Sequence, residues 1–435
     1  MSSNNQVPTF NMKVVVQETG LKPDTLRAWE RRYGVPNPQR TPGGHRLYSQ
    51  HEIDLLKWLV ARQDEGMSIS HAVDLWQQLE KEGQDPLQTE ETAVAEPTFV
   101  FTNGARVDDL RRDWIEASMA YDEHNAKFAL ARAFALLPLE TVCFKILQQG
   151  LNEIGQAWYE GRVSVQQEHF ASGLALRQLE ALLAALPSPI RSERLIVACP
   201  ATEQHTFSPL LISVLLRRKG WDVVYLGANV PLDRMEQSVR QIDPVLVIMS
   251  AQTLTAAGNL LPMAQTLQSL GVPFAFGGAV FNQLPQLVDA IPGHFLGQSL
   301  ANISQAVETL VQTKPAITQA AQPSKEYQAA YAHFVERRSA IEAHIHANAS
   351  HAELPSSLLT NTNFEFGNDI EAALHLGSLE LININLDWVK GLLNNFNIYT
   401  PQTILTNYLR QYHQAVKVVM DERAAPILNW LAQLT

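Results

Sequence analysis

Cysteine is nearly absent from this 435-residue sequence: Cys143 and Cys199 are the only two, and they form no CxxC pair. That scarcity excludes a disulfide framework and a structural zinc cluster, and it fits a reducing compartment. Long apolar runs are also missing; each is short and broken by charge or proline, so no membrane span is expected. The opening MSSNNQVPTF has neither a basic stretch nor an apolar core, which argues against secretion and for the cytoplasm. A positive balance is lacking too, with 44 acidic against 33 basic residues and a net charge of −11. That sign disfavours promiscuous phosphate binding, although the local distribution matters more than the sum. No internal repeat is evident.

What is present suffices for several cores. Hydrophobic residues make up 46% and charged ones 18%, and the length calls for three or four domains. Residues 9–82 alternate short helical patterns with turns. A helix is expected over Thr25–Tyr33, with Asp24 as N-cap and Gly34 and Pro36 ending it. Asn37–Gly44 reads as a loop, and His51–Gln63 and Ser70–Lys81 as amphipathic helices. The polar stretch 83–104, with Gly83, Pro86, Pro97 and Gly104, reads as a linker. Residues 105–187 show helical periodicity without strand signals, which predicts a four-helix bundle. Residues 192–313 change character: Leu195–Cys199, Val223–Leu226, Val245–Met249 and Phe274–Phe276 are apolar runs, each followed by a helical stretch. This predicts a doubly wound parallel sheet, whose ligands bind beyond the carboxyl ends of the strands. A second linker, 314–325, precedes an all-helical segment, 326–435.

Between Lys22 and Arg46 lie six basic and two acidic residues, an excess of four positive charges. Arg27 and Arg31 form an i,i+4 pair on one helix with Arg32 beside them, while Arg40 and Arg46 flank Gly43-Gly44. On charge alone this reads equally well as a solvated face. The stretch TLRAWERRYG (25–34), followed by RTPGGHRLY (40–48), resembles the winged helix-turn-helix of the MerR family. That resemblance covers about 70 residues and implies binding to double-stranded operator DNA. It implies Arg27, Arg31 and Arg32 in the recognition helix, and Arg40, His45, Arg46 and Tyr48 in the wing. Trp29 reads either as core or as part of that surface.

A second signal follows the first strand of the α/β segment. Glu203-x-His205-x-x-Ser208 places one imidazole in the loop at the strand's end. Taken alone, such a ring reads first as an ordinary hydrogen-bonded histidine, and otherwise as an axial ligand to a metal with a carboxylate fixing its tautomer. With Ser250 after the third strand and Gly277-Gly278 after the fourth, the pattern resembles the flavodoxin-like cobalamin-binding domain of B12-dependent methionine synthases and mutases. The resemblance implies His205 as the lower cobalt ligand, with the serine and the glycines around the buried nucleotide tail. Two positions depart from it: Ser208 stands where glycine is usual, and Ser250 is followed by Ala251-Gln252. A positive φ at Ser208 would be strained.

The third signal lies in the bundle. Trp158, nine residues, then Glu168-His169 reproduces the Wx9EH pattern of CarH-type photoreceptor repressors, which join a MerR module, a four-helix bundle and a cobalamin domain. Three motifs in this order identify the chain as resembling that family over residues 9–313. The resemblance implies adenosylcobalamin, with Trp158 over the upper face of the corrin and Glu168 and His169 near the adenosyl group. It also implies light-sensitive self-association, as dimer or tetramer, controlling DNA binding, with no catalytic activity. Tyr159 occupies a position where light-sensing members often carry histidine, so a light-independent cobalamin sensor is the alternative. A methyltransferase or mutase subunit is disfavoured, because no run of eight strand–helix units supplies a substrate barrel. Residues 326–435 extend beyond the resemblance and lack cysteine, which excludes a thioether-linked chromophore there. His344 and His346 are i,i+2 and fall on different helix faces, against a shared metal site. This segment reads as an oligomerisation or partner domain, or as a second ligand pocket.

Overall fold

In the computed structural model, the description covers residues 8–40, 44, 46–64, 69–81, 107–316, 322–348, 356–395 and 401–434. The chain divides into two compact units, Met1–Gly104 and Ala105–Thr435. The first holds β1 (Phe10–Asn11), α1 (Met12–Thr19), α2 (Pro23–Tyr33), β2 (Gln39–Arg40), β3 (Arg46–Tyr48), α3 (Gln50–Asp64) and α4 (Ile69–Lys81). Asn11 caps α1 by accepting from the N–H groups of Lys13 and Val14. Helix α2 starts earlier than expected. Pro23 takes the first helical position, where its missing N–H costs nothing, so Asp24 lies inside the first turn and Lys22 is the N-cap. Gly34 ends α2 in the left-handed conformation. In the small antiparallel sheet, ordered β1-β3-β2, β2 and β3 lie where the resemblance implies a wing, whereas β1 has no signal in the sequence, its strand being only two residues long. Leu26, Trp29, Tyr48, Leu56, Trp58 and Trp76 build the core of this unit.

The second unit begins with α5 (Val107–Met119), α6 (Glu123–Leu136), a third helix and α9 (Val165–Ala185). The third helix runs as α7 (Leu139–Thr141), a π-helical stretch Val142–Gln148 and α8 (Gln149–Tyr159). A capping box between Ser164 and Gln167 starts α9 directly after the turn that follows α8. The α/β part comprises β4 (Arg194–Pro200), α10 (Phe207–Arg218), β5 (Asp222–Val230), α11 (Met235–Ile242), β6 (Pro244–Ser250), α12 (Leu254–Ser269), β7 (Phe274–Gly277), α13 (Ala279–Gln283), β8 (His294–Phe295) and α14 (Ile303–Thr313). Its five strands are parallel in the order β5-β4-β6-β7-β8. The order reverses between β4 and β6, and the crevice at such a reversal is where open α/β sheets take ligands.

Alternation along the strands shows how the sheet is covered. Leu195, Val197, Leu246, Ile248 and Ala275 share one core with the bundle and α10. Ile196, Ala198, Val247, Met249, Phe274 and Phe276 share a second core with α12 and the C-terminal helices. Both faces are buried, which is why these strands read as continuous apolar runs. The C-terminal helices are α15 (Lys325–Asn348), α16 (Ser356–Leu376), α17 (Asn383–Asn395), α18 (Pro401–Val419) and α19 (Ala425–Leu434). Among the described residues, no helix is long and apolar enough to cross a membrane.

Candidate functional site

The loops after β4 and β6 meet at the strand-order reversal. Glu203 is 1% exposed, and its carboxylate organises both loops. Its Oε1 lies 2.6 Å from the His205 ring Nδ1 and accepts the His205 N–H at 2.9 Å. Its Oε2 accepts the N–H of Gln252 from the β6 loop at 2.6 Å. An ionised carboxylate only accepts, so the partner assigns the ring proton to Nδ1 and leaves the Nε2 lone pair free. The His205 side chain is 68% exposed, so that nitrogen is open to a ligand.

Burial pushes the Glu203 carboxyl up, but the bonds from the His205 ring, the Gln252 N–H and the His205 N–H outweigh it, and its pKa lies below the ordinary value. The hydrogen bond to Glu203 raises the His205 pKa against partial desolvation, and the charge of Glu168 in the bundle adds to the rise. The Glu-His segment of α9 and the His205 loop are therefore electrostatic neighbours.

Other loop residues, missed in the sequence, hold this arrangement. Thr202 has a φ of 70°, and its N–H donates to Asn229 Oδ1 at 2.8 Å. Asn259 Nδ2 donates to the Ala201 carbonyl at 2.9 Å and to Thr202 Oγ1 at 3.0 Å. The left-handed residue is thus Thr202 rather than Ser208, which sits in the first turn of α10 outside the positive-φ region. The strain anticipated for a serine at that position does not arise.

Ser250 and Gly277 end β6 and β7 as register partners. Ser250 is 4% exposed and accepts from Gln252 Nε2 at 2.8 Å, while Gln252 Oε1 accepts the Ala279 N–H at 2.9 Å. Gly278 has a φ of 125°, and a Cβ there would lie 1.9 Å from the Ala251 carbonyl oxygen. A Cβ on Gly277 would meet nothing within 4 Å. The arrangement offers an oriented, accessible imidazole beside a glycine edge with open space, which fits a metal carried in a flat macrocycle. Trp158 lies in the last turn of α8, Glu168 in the first turn of α9 and His169 directly after it, with Glu168 Oε2 2.6 Å from His169 Nδ1. Among the described residues, no group of three His, Cys, Asp or Glu side chains forms a protein-only metal cage.

In the N-terminal unit, Arg27, Arg31 and Arg32 are exposed along α2, with Arg27 paired to Asp24. Arg46 and Arg40 both reach Glu30 of α2, at 2.7 and 3.3 Å, tying the strands to the helix. The pairing lowers the Glu30 pKa, mainly through its bond to Arg46. Tyr48 corrects the expectation of a DNA-facing ring. It is 1% exposed with its hydroxyl on Met12 Sδ, because β3 turns that side chain into the core. Trp29, 7% exposed, takes the core alternative. His45 lies outside the described residues.

Comparison with known proteins accords with this geometry. The MerR HTH family regulatory protein family matches residues 10–79. Two B12 binding domain families match residues 193–297 and 110–183. The HTH-type transcriptional repressor CarH of Myxococcus xanthus is 30% identical over 275 residues, covering 62% of this chain and 89% of CarH. The chain belongs to the CarH and CarA type of cobalamin-binding MerR-family regulators. The repressor CarA of Myxococcus xanthus is 31% identical over 245 residues, 56% of this chain and 76% of CarA. Among solved structures, the monomethylamine corrinoid protein of Methanosarcina barkeri aligns at 18% identity and a TM-score of 0.39, covering 47% of this chain and 96% of its own.

Proposed function

We propose that this CarH-type regulator binds adenosylcobalamin between the bundle and the α/β part, and that the bound cofactor controls self-association and operator binding. The supporting observation is the Glu203 carboxylate, which fixes His205 and the β6 loop together at the strand-order reversal, within the electrostatic reach of Glu168. His205 holds the cofactor from below through Nε2, oriented by Glu203. Trp158 excludes water from the opposite face, and Glu168 and His169 offer hydrogen-bonding groups beside it. Ser250, Gly277 and Gly278 line the path of the nucleotide tail, together with Ser208 at the start of α10. Adenosylcobalamin, when bound, supplies a cobalt–carbon bond that light can break. Arg27, Arg31 and Arg32 carry the contact to double-stranded DNA, supported by Arg40 and Arg46. Self-association raises the effective concentration of several weak DNA modules on one operator. The chain acts in the cytoplasm and without catalysis of its own.

A light-independent cobalamin sensor is the second reading, favoured by Tyr159, whose ring stacks on Trp388 and supplies no imidazole. A gel shift and light scattering on chain loaded with adenosylcobalamin, dark and illuminated, test both readings. Light is expected to change operator binding and assembly size together. Identical behaviour in both conditions removes the light response and leaves the second reading.

A further inference from the structure

The C-terminal helices reach the same corner of the molecule as Trp158. On α17, Trp388 places its ring centroid 5.9 Å from that of Trp158 and 6.1 Å from that of Tyr159, the latter stacked at 26°. Asn395 Nδ2, at the end of the same helix, donates to the Tyr159 carbonyl at 2.8 Å. Between them, Gly391 leaves room for the Tyr159 hydroxyl, which lies 1.7 Å from where a Cβ at Gly391 would stand. One helix thus presents an aromatic ring, a hydrogen-bond donor and a notch to two consecutive residues.

That helix is also tied to the α/β part. Asn385 Nδ2 donates to Asp369 Oδ2 at 3.0 Å, and Thr255 Oγ1 of α12 donates to Asp369 Oδ1 at 3.3 Å. Helix α12 begins just after Gln252, whose N–H is held by Glu203 beside His205. The C-terminal part therefore bridges the two sides of the cobalamin site, one contact set leading to His205 and the other ending on Trp158. Trp388 remains 46% exposed, so these contacts do not bury its ring.

We propose that Trp388 is a positioning residue of the cobalamin site: the C-terminal helices dock in cis on Trp158-Tyr159 and hold that lid over the cofactor's upper face. The inference rests on the reading that Trp158 covers the cofactor. Aromatic pairs at these separations favour the closed arrangement by about 2- to 12-fold. Opening of the lid, and hence access to the upper face, is expected to rise by that factor when the ring is removed.

Full-length chain loaded with hydroxocobalamin and mixed with cyanide tests this, because absorbance reports the rate at which cyanide takes the upper axial position. Trp388→Ala is expected to accelerate exchange by about 2- to 12-fold, and Trp388→Phe to stay near wild type, since it keeps an aromatic ring on Trp158. Gly391→Ala, which leaves the indole but displaces Tyr159, is expected to accelerate exchange in the same direction and serves if Trp388→Ala does not fold. Near-UV circular dichroism of the cofactor-free chain gives an independent readout: the Trp158–Trp388 pair is expected to contribute a band that Trp388→Ala abolishes, and an unchanged spectrum overturns the contact. Unchanged exchange in both variants, with hydroxocobalamin bound, overturns the role of Trp388 and leaves the underlying site intact. Failure of the wild-type chain to bind hydroxocobalamin overturns both.

Discussion

Asp369 gives the sharpest test of the contact between the α/β part and the C-terminal helices. Its carboxyl lies between Thr255 and Asn385, and burial raises its pKa from 3.8 to about 6 against the lowering effect of those two bonds, with Glu365 adding to the rise. A pKa higher in the folded chain than in the unfolded one means that the folded state binds the proton more tightly. Stability from this group is therefore complete below about pH 4, declines as pH rises through about 6, and is level above that. Two pKa units correspond to about 3 kcal/mol between the two plateaus, an upper limit for a group with some solvent access. Asp369→Asn removes the titration and keeps an oxygen that accepts one of the two bonds. Urea unfolding of wild type and variant at pH 4.5 and pH 7.5 cancels all other titrations in the difference of differences. The variant should gain about 2 kcal/mol on the wild type between the two pH values, because part of the decline already lies below pH 4.5. A change below about 0.5 kcal/mol would refute the buried carboxyl and the domain contact built on it.

Three further outcomes follow from the geometry. Gly278→Ala combines a left-handed φ with a Cβ 1.9 Å from the Ala251 carbonyl, so it should lower the urea midpoint by the equivalent of about 2–3 kcal/mol and weaken cobalamin binding with it. Arg31→Ala removes an exposed cation on α2, so it should leave the melting temperature unchanged while reducing the salt dependence of operator binding by about one phosphate contact. Glu30→Ala unties Arg46 and Arg40 from α2; the expected loss is about 1 kcal/mol of stability in the N-terminal unit, with weaker operator binding, measured by thermal melting and gel shift.

The parallel strands were legible because burial on both faces leaves no polar alternation, so each β-run stood out from its flanking helices. The helix-turn-helix is legible from its resemblance to the MerR motif and not from charge alone, and Asp24 is not the cap because Pro23 opens the helix two residues before Thr25. β8 and the two-residue strand β1 were not legible, since two residues carry no periodicity. His205 and Glu203 were recognisable as local spacing. Their supports were not: Asn229, Gln252 and Asn259 act across 27 to 58 residues of intervening chain. The link between Tyr159 and Asn395 spans 236 residues. Helical periodicity in the last segment showed helices, but only the fold brings α17 to the lid. Tyr48 was not legible as core because the motif carries no burial signal, and at the end of β3 its ring is buried with Leu26 and Leu56.

Equilibrium titration of the full-length chain with adenosylcobalamin in the dark bears most directly on the oriented imidazole. Glu203→Gln should weaken binding by about 10- to 100-fold by releasing the ring, and His205→Ala should weaken it further. Binding by His205→Ala equal to that of the wild type would contradict the account.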